Sequence, residues 1–335
     1  MNSRELVFKA LNFDNPDRVP RQKWTLPWAN INYPDELATI NSSYPDDIIG
    51  SPGFCKEKDI SVGDSTEIGE SSDAWGCKFL NYQRGIIGEV KEPLVKDENW
   101  KDADNIHIPI EWLTIDNDKI NDFCKKTDKF VMAGACPRPF EQLQFIRGTE
   151  NLFIDLMLRP KGLMDFMSKM HEFYCKLLTK WAKTNVDALN FMDDWGSQKS
   201  LLINPSIWEE LFKPMYKDYI DIAHKHGKKI FMHSDGYILD IYPHLIELGL
   251  DAINSQIFCM PMNELSKFKG KITFWGEIDR QNLLPNANTD EIKDAVMYVK
   301  NNLWDNGGCI AQCEFGPGAN PDNVEQVFKT WNEIS

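Results

Sequence analysis

Ile230-Phe231-Met232-His233-Ser234-Asp235-Gly236 is an apolar run that ends in two potential metal ligands. A basic stretch from His224 to Lys229, broken by Gly227, leads into it. A helix end, a glycine turn, a buried strand and a polar strand exit, in that order, mark a parallel α/β protein. In such folds the chemistry collects at the carboxyl ends of the strands. His233 and Asp235 are two residues apart, so on a strand they face the same side. A second exit of this kind comes late in the chain, where Gly308-Cys309-Ile310-Ala311-Gln312-Cys313-Glu314 ends in a cysteine and a glutamate.

The 335 residues carry a net charge of −14. That balance argues against nucleic acid and anionic membrane surfaces as partners. The first residues, Met1-Asn2-Ser3-Arg4-Glu5-Leu6, hold no apolar signal region, and no apolar run reaches the length of a membrane span. Eight cysteines without a CxxC pair read as reduced thiols, so a cytoplasmic location is expected.

The chain reads as one domain over 1–335, with an irregular N-terminal elaboration and the first strands in 1–125 and regular β/α repeats in 126–335. Polar loops are expected at Asn41–Ser51 and Ser61–Ser72. Strands are expected at Phe130–Ala133, Asp187–Met192, Ile230–Ser234, Asp251–Asn254, Lys271–Trp275 and Cys309–Cys313. Gly162–Thr184 has the apolar spacing of a long amphipathic helix. Pro205–His226 reads as a helix capped by Asn204 and bent at Pro214. Six strands at this spacing, with two more hidden in the first 125 residues, fit a (β/α)8 TIM barrel. No GxGxxG follows the first strand, so a dinucleotide site has no support.

The polar strand exits supply the candidate site. His233, Asp235 and Cys313 are the candidate metal ligands, since imidazole, carboxylate and thiolate form the usual zinc set. Asp193, Asp194 and Glu277, at two further exits, are the candidate catalytic carboxylates. Arg138, between two prolines, is a candidate for an anionic substrate group. Trp24, Trp28, Trp75 and Trp195 are candidate walls of an apolar pocket. For each of these, a packing or surface role is the competing reading.

Several motifs together resemble the uroporphyrinogen decarboxylase superfamily. They are Arg4-Glu5-Leu6, Pro16-Asp17-Arg18-Val19-Pro20, Tyr44-Pro45-Asp46-Asp47-Ile48, Asp73-Ala74-Trp75-Gly76, Asp193-Asp194-Trp195, His233-Ser234-Asp235-Gly236, Trp275-Gly276-Glu277-Ile278-Asp279 and Pro321-Asp322-Asn323-Val324. The resemblance implies a TIM barrel with its site at the C-terminal face. It is closer to the zinc-dependent corrinoid methyltransferase branch than to the true decarboxylases. The decarboxylases carry an arginine-rich loop where this chain has Arg21-Gln22-Lys23-Trp24. The methyltransferase branch has His-x-Cys where this chain has His233-x-Asp235, and a late cysteine matching Cys313.

The resemblance therefore implies zinc on His233, Cys313 and either Asp235 or Glu277. It implies methyl transfer from a small donor to a corrinoid on a partner protein, and it raises a homodimer; the harder carboxylate at Asp235 in place of cysteine suits a methoxylated donor. Two alternatives stand beside it. One is cofactor-free decarboxylation, with Asp46 or Asp47 meeting pyrrole nitrogens. The other is a non-catalytic tetrapyrrole or corrinoid binder.

Overall fold

A computed structural model describes residues 1–334. Its centre is a parallel barrel. The strands are β1 (Trp24–Thr25), β2 (Ile48–Gly50), β3 (Phe130–Met132), β4 (Ala188–Met192), β5 (Lys229–Ser234), β6 (Ala252–Ser255), β7 (Thr273–Trp275) and β8 (Cys309–Ile310, resuming at Glu314–Phe315). β2 to β8 form one parallel sheet in chain order. β1 pairs in parallel with the far end of β8, Trp24 opposite Glu314 and Thr25 opposite Phe315. The expected β/α repeats and the two early strands are thus present.

Closure between β1 and β2 is made largely by side chains. Along that seam the Asp47 N–H donates to the Arg21 carbonyl at 2.8 Å. The Asp47 carboxylate accepts both Arg18 Nη atoms at 2.7 Å and the Arg21 N–H at 3.0 Å. Asp46 accepts the Lys23 N–H at 2.8 Å and the Lys23 ammonium at 2.7 Å. Two early motifs, one around Arg18 and one around Asp47, therefore meet as a seam. Asp46, expected to meet substrate, is spent here: Lys23 points outward to lie over the Phe328 ring and draws Asp46 with it.

The inside of the barrel is narrow and apolar. Ile48, Phe130, Met132, Ala188, Phe231, Ala252, Trp275 and Ile310 fill it, and Val7 and Leu11 of the helix Ser3–Leu11 plug its lower end. Ring-to-ring contacts climb the axis. Phe8 meets Phe130 at 5.2 Å, Phe130 meets Phe231 at 5.8 Å, and Phe231 meets Trp275 at 5.1 Å. Trp275 then meets Trp24 at 5.2 Å, and Trp24 meets His233 at 4.8 Å. Strand alternation makes this possible: residues two apart share a face, and the residues between them join the larger core against the helices.

Around the barrel the long amphipathic helix runs Lys161–Ala182. The expected bent helix is two helices, Pro205–Leu211 and Lys213–Lys225, with the break at Phe212 just before Pro214. The N-terminal region is more ordered than its composition indicates. The segment expected to be polar loop contains the end of the helix Pro34–Ser43 and all of β2. Beyond it lies an antiparallel sheet of Gly69–Ser72, Lys78–Asn81 and Glu89–Glu92.

The seam is open to a direct test. Asp47 is 1% exposed, and its removal strands the Arg18 guanidinium and the Arg21 N–H. Asp47→Ala is expected to destabilise the fold by about 3–5 kcal/mol in urea unfolding, the range for breaking a buried pair from one side. Asp46→Ala would strand the buried Lys23 ammonium and is expected to cost a similar amount. A cost below about 1 kcal/mol for Asp47→Ala, as for a surface pair, would refute the seam.

Candidate functional site

The site is built by the strand exits of β4 to β8. On β5, Ile230 and Met232 point outward into the helix layer while Phe231 points into the barrel. The same alternation carries His233 and Asp235 to the inside, as expected from their spacing. On β4 it turns Asp194 inward and Asp193 outward.

Asp193 is fully buried in the helix layer. It accepts the Tyr216 hydroxyl at 2.6 Å and the Glu141 N–H at 2.8 Å in the first turn of the helix Pro139–Arg147. Burial holds its pKa well above the ordinary carboxylate range. Its role is structural, which corrects the catalytic expectation. Trp195 is likewise outside the site. Its ring stacks on Phe140 at 4.0 Å, and its Nε1–H donates to Tyr216. Trp75 packs at 1% exposure against Phe166, Phe173 and Tyr174 while lining a cavity beside the barrel mouth. Trp28 packs edge-on to Tyr33 at 5.7 Å.

What converges is a triad of oxygen, nitrogen and oxygen. His233 Nε2 lies 3.5 Å from Asp194 Oδ1 and 3.6 Å from Asp235 Oδ1. Asn254, on β6, fixes the ring. Its amide donates to the Trp275 carbonyl, so its Oδ1 faces His233 and accepts Nδ1–H at 2.6 Å. Nε2 of the neutral ring therefore keeps its lone pair towards the two carboxylates. Asp235 Oδ1 is buried without a hydrogen-bond partner. Its other oxygen accepts Arg280, which also reaches Glu314 at 2.9 Å.

The loops after β4 and β5 must touch for this to form. Gly236 has φ +75°, and a Cβ there would meet the Gly196 carbonyl oxygen at 2.2 Å. The Gly196 N–H donates to the Asp235 carbonyl, and the Asp235 N–H to Asp194 Oδ1. Backbone contact between two glycines thus sets the spacing of the two carboxylates.

Cys313 does not join the triad. Ile310 points into the barrel, so Gln312 and Glu314 follow it inward, while Cys309, Ala311, Cys313 and Phe315 pack in the outer core. Its neighbour in register before β1, Lys23, also points outward. Burial pushes the Cys313 thiol pKa far above its ordinary value. The expected His233–Cys313 pairing is corrected by strand parity: one residue along, Glu314 is the group that faces the site.

Glu277 completes the inner wall at 3% exposure, with Oε2 unpartnered and 4.0 Å from Arg280. Burial, opposed by Arg280 and helped by the Asp235 and Glu314 carboxylates, raises its pKa to about 8. Arg138 pairs with Glu141 at 3.0 Å where two cavities of about 370 and 500 Å³ share Trp112, Arg138 and Gln142. Glu141 feels the charge of Asp194, so this rim lies near the triad. Asn254, Arg280 and Glu141 were missed from the sequence, and Glu314 was seen at its strand exit but given no role. Only Glu314 had a legible signal, its even spacing from the apolar Ile310.

The donor set fits a divalent cation: one imidazole with a free lone pair and two carboxylate oxygens, one of them orphaned. Asp235, Glu277 and Glu314 all draw on the one guanidinium of Arg280, so the floor of the mouth favours a cation over an anion.

Glu277 binds its proton more tightly in the folded chain than in the unfolded one. The folded state therefore holds more protons between about pH 4.5 and about 8, and stability falls as pH rises through that window. Glu277→Gln is expected to flatten this slope, so that the variant gains on wild type as pH rises. Parallel stability curves from pH-dependent urea unfolding would contradict it.

Residues 71–334 match the family model described as uroporphyrinogen decarboxylase (URO-D). No curated protein sequence gives a significant match. Among solved structures, a methyltransferase from Methanosarcina mazei is similar over 100% of this chain and 99% of its own, with a TM-score of 0.71 and 14% identity. A 3-keto-D-glucoside 4-epimerase from E. coli covers 73% of this chain and 97% of its own at a TM-score of 0.41 and 10% identity, too distant to carry any inference. Among the described residues no helix is long and apolar enough to cross a membrane. With its barrel, its polar strand exits and a family match over most of its length, the chain belongs to the uroporphyrinogen decarboxylase family.

Proposed function

We propose that this chain is a zinc-dependent methyltransferase that moves a methyl group from a small methoxylated donor to a corrinoid carried by a separate protein. The observation that carries the reading is the free Nε2 of His233 framed by Asp194 and Asp235 oxygens at 3.5 and 3.6 Å. Asp194, His233 and Asp235 would hold the ion, with Asp194 in the place first expected for Cys313. When bound, zinc supplies Lewis acidity that makes a donor heteroatom a better leaving group.

The remaining roles belong to the chain. Asn254 fixes the imidazole tautomer, and Arg280 holds Asp235 from behind. Glu277, neutral up to about pH 8, holds a proton beside the leaving oxygen. In the overall step the donor's O–CH3 bond breaks and a CH3–Co(III) bond forms from Co(I). The oxygen keeps the bonding pair and takes the Glu277 proton, so the carboxylate is left to be reprotonated from solvent. Trp24 gives the mouth an apolar floor against His233, and the aromatic-walled cavities beside Arg138 offer room for the body of the donor.

Decarboxylation of a polyanionic tetrapyrrole meets two obstacles. The guanidinium at the triad is already shared among Asp235, Glu277 and Glu314. Asp46 and Asp47 are consumed in the β1–β2 seam.

The test is methylation of free cob(I)alamin with methoxylated donors, read by absorbance, together with metal analysis. His233→Ala and Asp194→Asn are each expected to lose about one metal equivalent and more activity than the roughly 10- to 100-fold expected for the outer-shell Asn254→Ala. Full activity in metal-free protein, or in His233→Ala, would overturn the reading. Tight corrinoid binding without turnover would favour a non-catalytic binder instead.

A further inference from the structure

Just below the triad, three neighbouring strands turn polar side chains inward that no other group of the protein satisfies. Gln312 lies between Ile310, in the barrel core, and Glu314, at the mouth, so alternation points it inward. It is 1% exposed, and both polar atoms of its side-chain amide lack a hydrogen-bond partner. Before β1, Arg21 bridges to Ala311, and on it Trp24 pairs with Glu314, which sets Gln22 beside Gln312. Gln22 Oε1 is also buried and unpartnered. On the other side of β8, the Gly276 N–H donates to the Ile310 carbonyl at 3.0 Å, and Glu277 follows with Oε2 buried and unpartnered.

Gly276 lets the Gln312 amide approach β7. A Cβ on Gly276 would meet Gln312 Oε1 at 2.0 Å, so the amide lies in the space that glycine leaves. That contact turns Oε1 to the Gly276 backbone and leaves Nε2 for a partner beyond it. A donor on Gln312 thus stands with acceptors on Gln22 and Glu277. Buried polar atoms left unpaired are costly, and flipping the Gln312 amide only exchanges one orphan for another. A group that accepts one hydrogen bond and donates two satisfies all three side chains. Water does this, since a buried water typically makes about three such bonds.

Building on the acid role of Glu277 in methyl transfer, we propose that Gln22 and Gln312 hold an internal water against Glu277 Oε2. The water accepts from Gln312 Nε2–H and donates to Gln22 Oε1 and to Glu277 Oε2. A carboxylic acid with one oxygen held as acceptor carries its proton on the other. Oε1 therefore holds the proton and gives it to the departing oxygen, and the two glutamines are positioning residues. A cavity of about 280 Å³, with Gln256, Glu277 and Arg280 in its wall, gives a ligand room to reach the carboxyl.

A high-resolution crystal structure of the wild type is expected to show a water within hydrogen-bonding reach of Gln22, Gln312 and Glu277. The carboxylic C=O band of Glu277 is the infrared band missing from Glu277→Gln. It is expected to move to higher wavenumber in Gln312→Met, which keeps the shape of the side chain and removes both polar atoms. The same variant is expected to lower kcat by roughly 10- to 100-fold with KM for the donor unchanged, the range for a partner that orients an acting group. No water at this spot in wild type, an unmoved band in Gln312→Met, or an unchanged kcat in that variant would overturn the proposal. Should Gln312→Met fail to fold, the band in Gln22→Met decides in its place. If wild type transfers no methyl group at all, the methyl-transfer reading falls, and the water and the band still decide whether Glu277 is clamped.

Discussion

The column of rings inside the barrel holds the site in place. Phe8, Phe130, Phe231, Trp275 and Trp24 fill the axis from the plugged lower end upward, and His233 rests on Trp24 at the top. A close-packed interior resists small displacements, so the imidazole cannot sink, and its Nδ1 hydrogen bond to Asn254 prevents it from turning. What remains free is one nitrogen lone pair aimed into a ring of carboxylates. Function in this fold comes from the side chains grafted on the strand exits, and here the packing beneath them decides which of those side chains can act.

Electrostatics then sort the carboxylates. Asp193 is buried and serves the helix layer. Asp235 and Glu314 lean on Arg280, while Glu277 has only a distant guanidinium and is held neutral by burial. A wall that carries several acids with one arginine is costly unless something positive enters it. That cost is a reason to expect a cation between Asp194, His233 and Asp235, and a reason against a ligand with many carboxylates of its own.

Much of this was legible before the structure. The strand rhythm after residue 126 pointed to the barrel, and the two-residue spacing of His233 and Asp235 placed both on one face. Two of the assignments that failed did so by one residue of parity. Cys313 and Asp193 sit at true strand exits but on the outward side, while their neighbours Glu314 and Asp194 face in. Periodicity locates a strand more readily than it locates its inner face when both faces are buried, because the run is apolar throughout. Trp195 misled for the same reason, since an aromatic at a strand exit can belong to either layer.

By itself the sequence determined the architecture, the ends of the strands and the acidic character of the mouth, since these follow from local periodicity and composition. Tertiary structure alone decided which carboxylates meet His233, that Asp46 and Asp47 close the barrel, and that Arg280 anchors Asp235. Those contacts join residues as much as 45 positions apart in the chain. They depend on register, on parity and on two glycines touching at Gly196 and Gly236, none of which any local pattern of residues encodes.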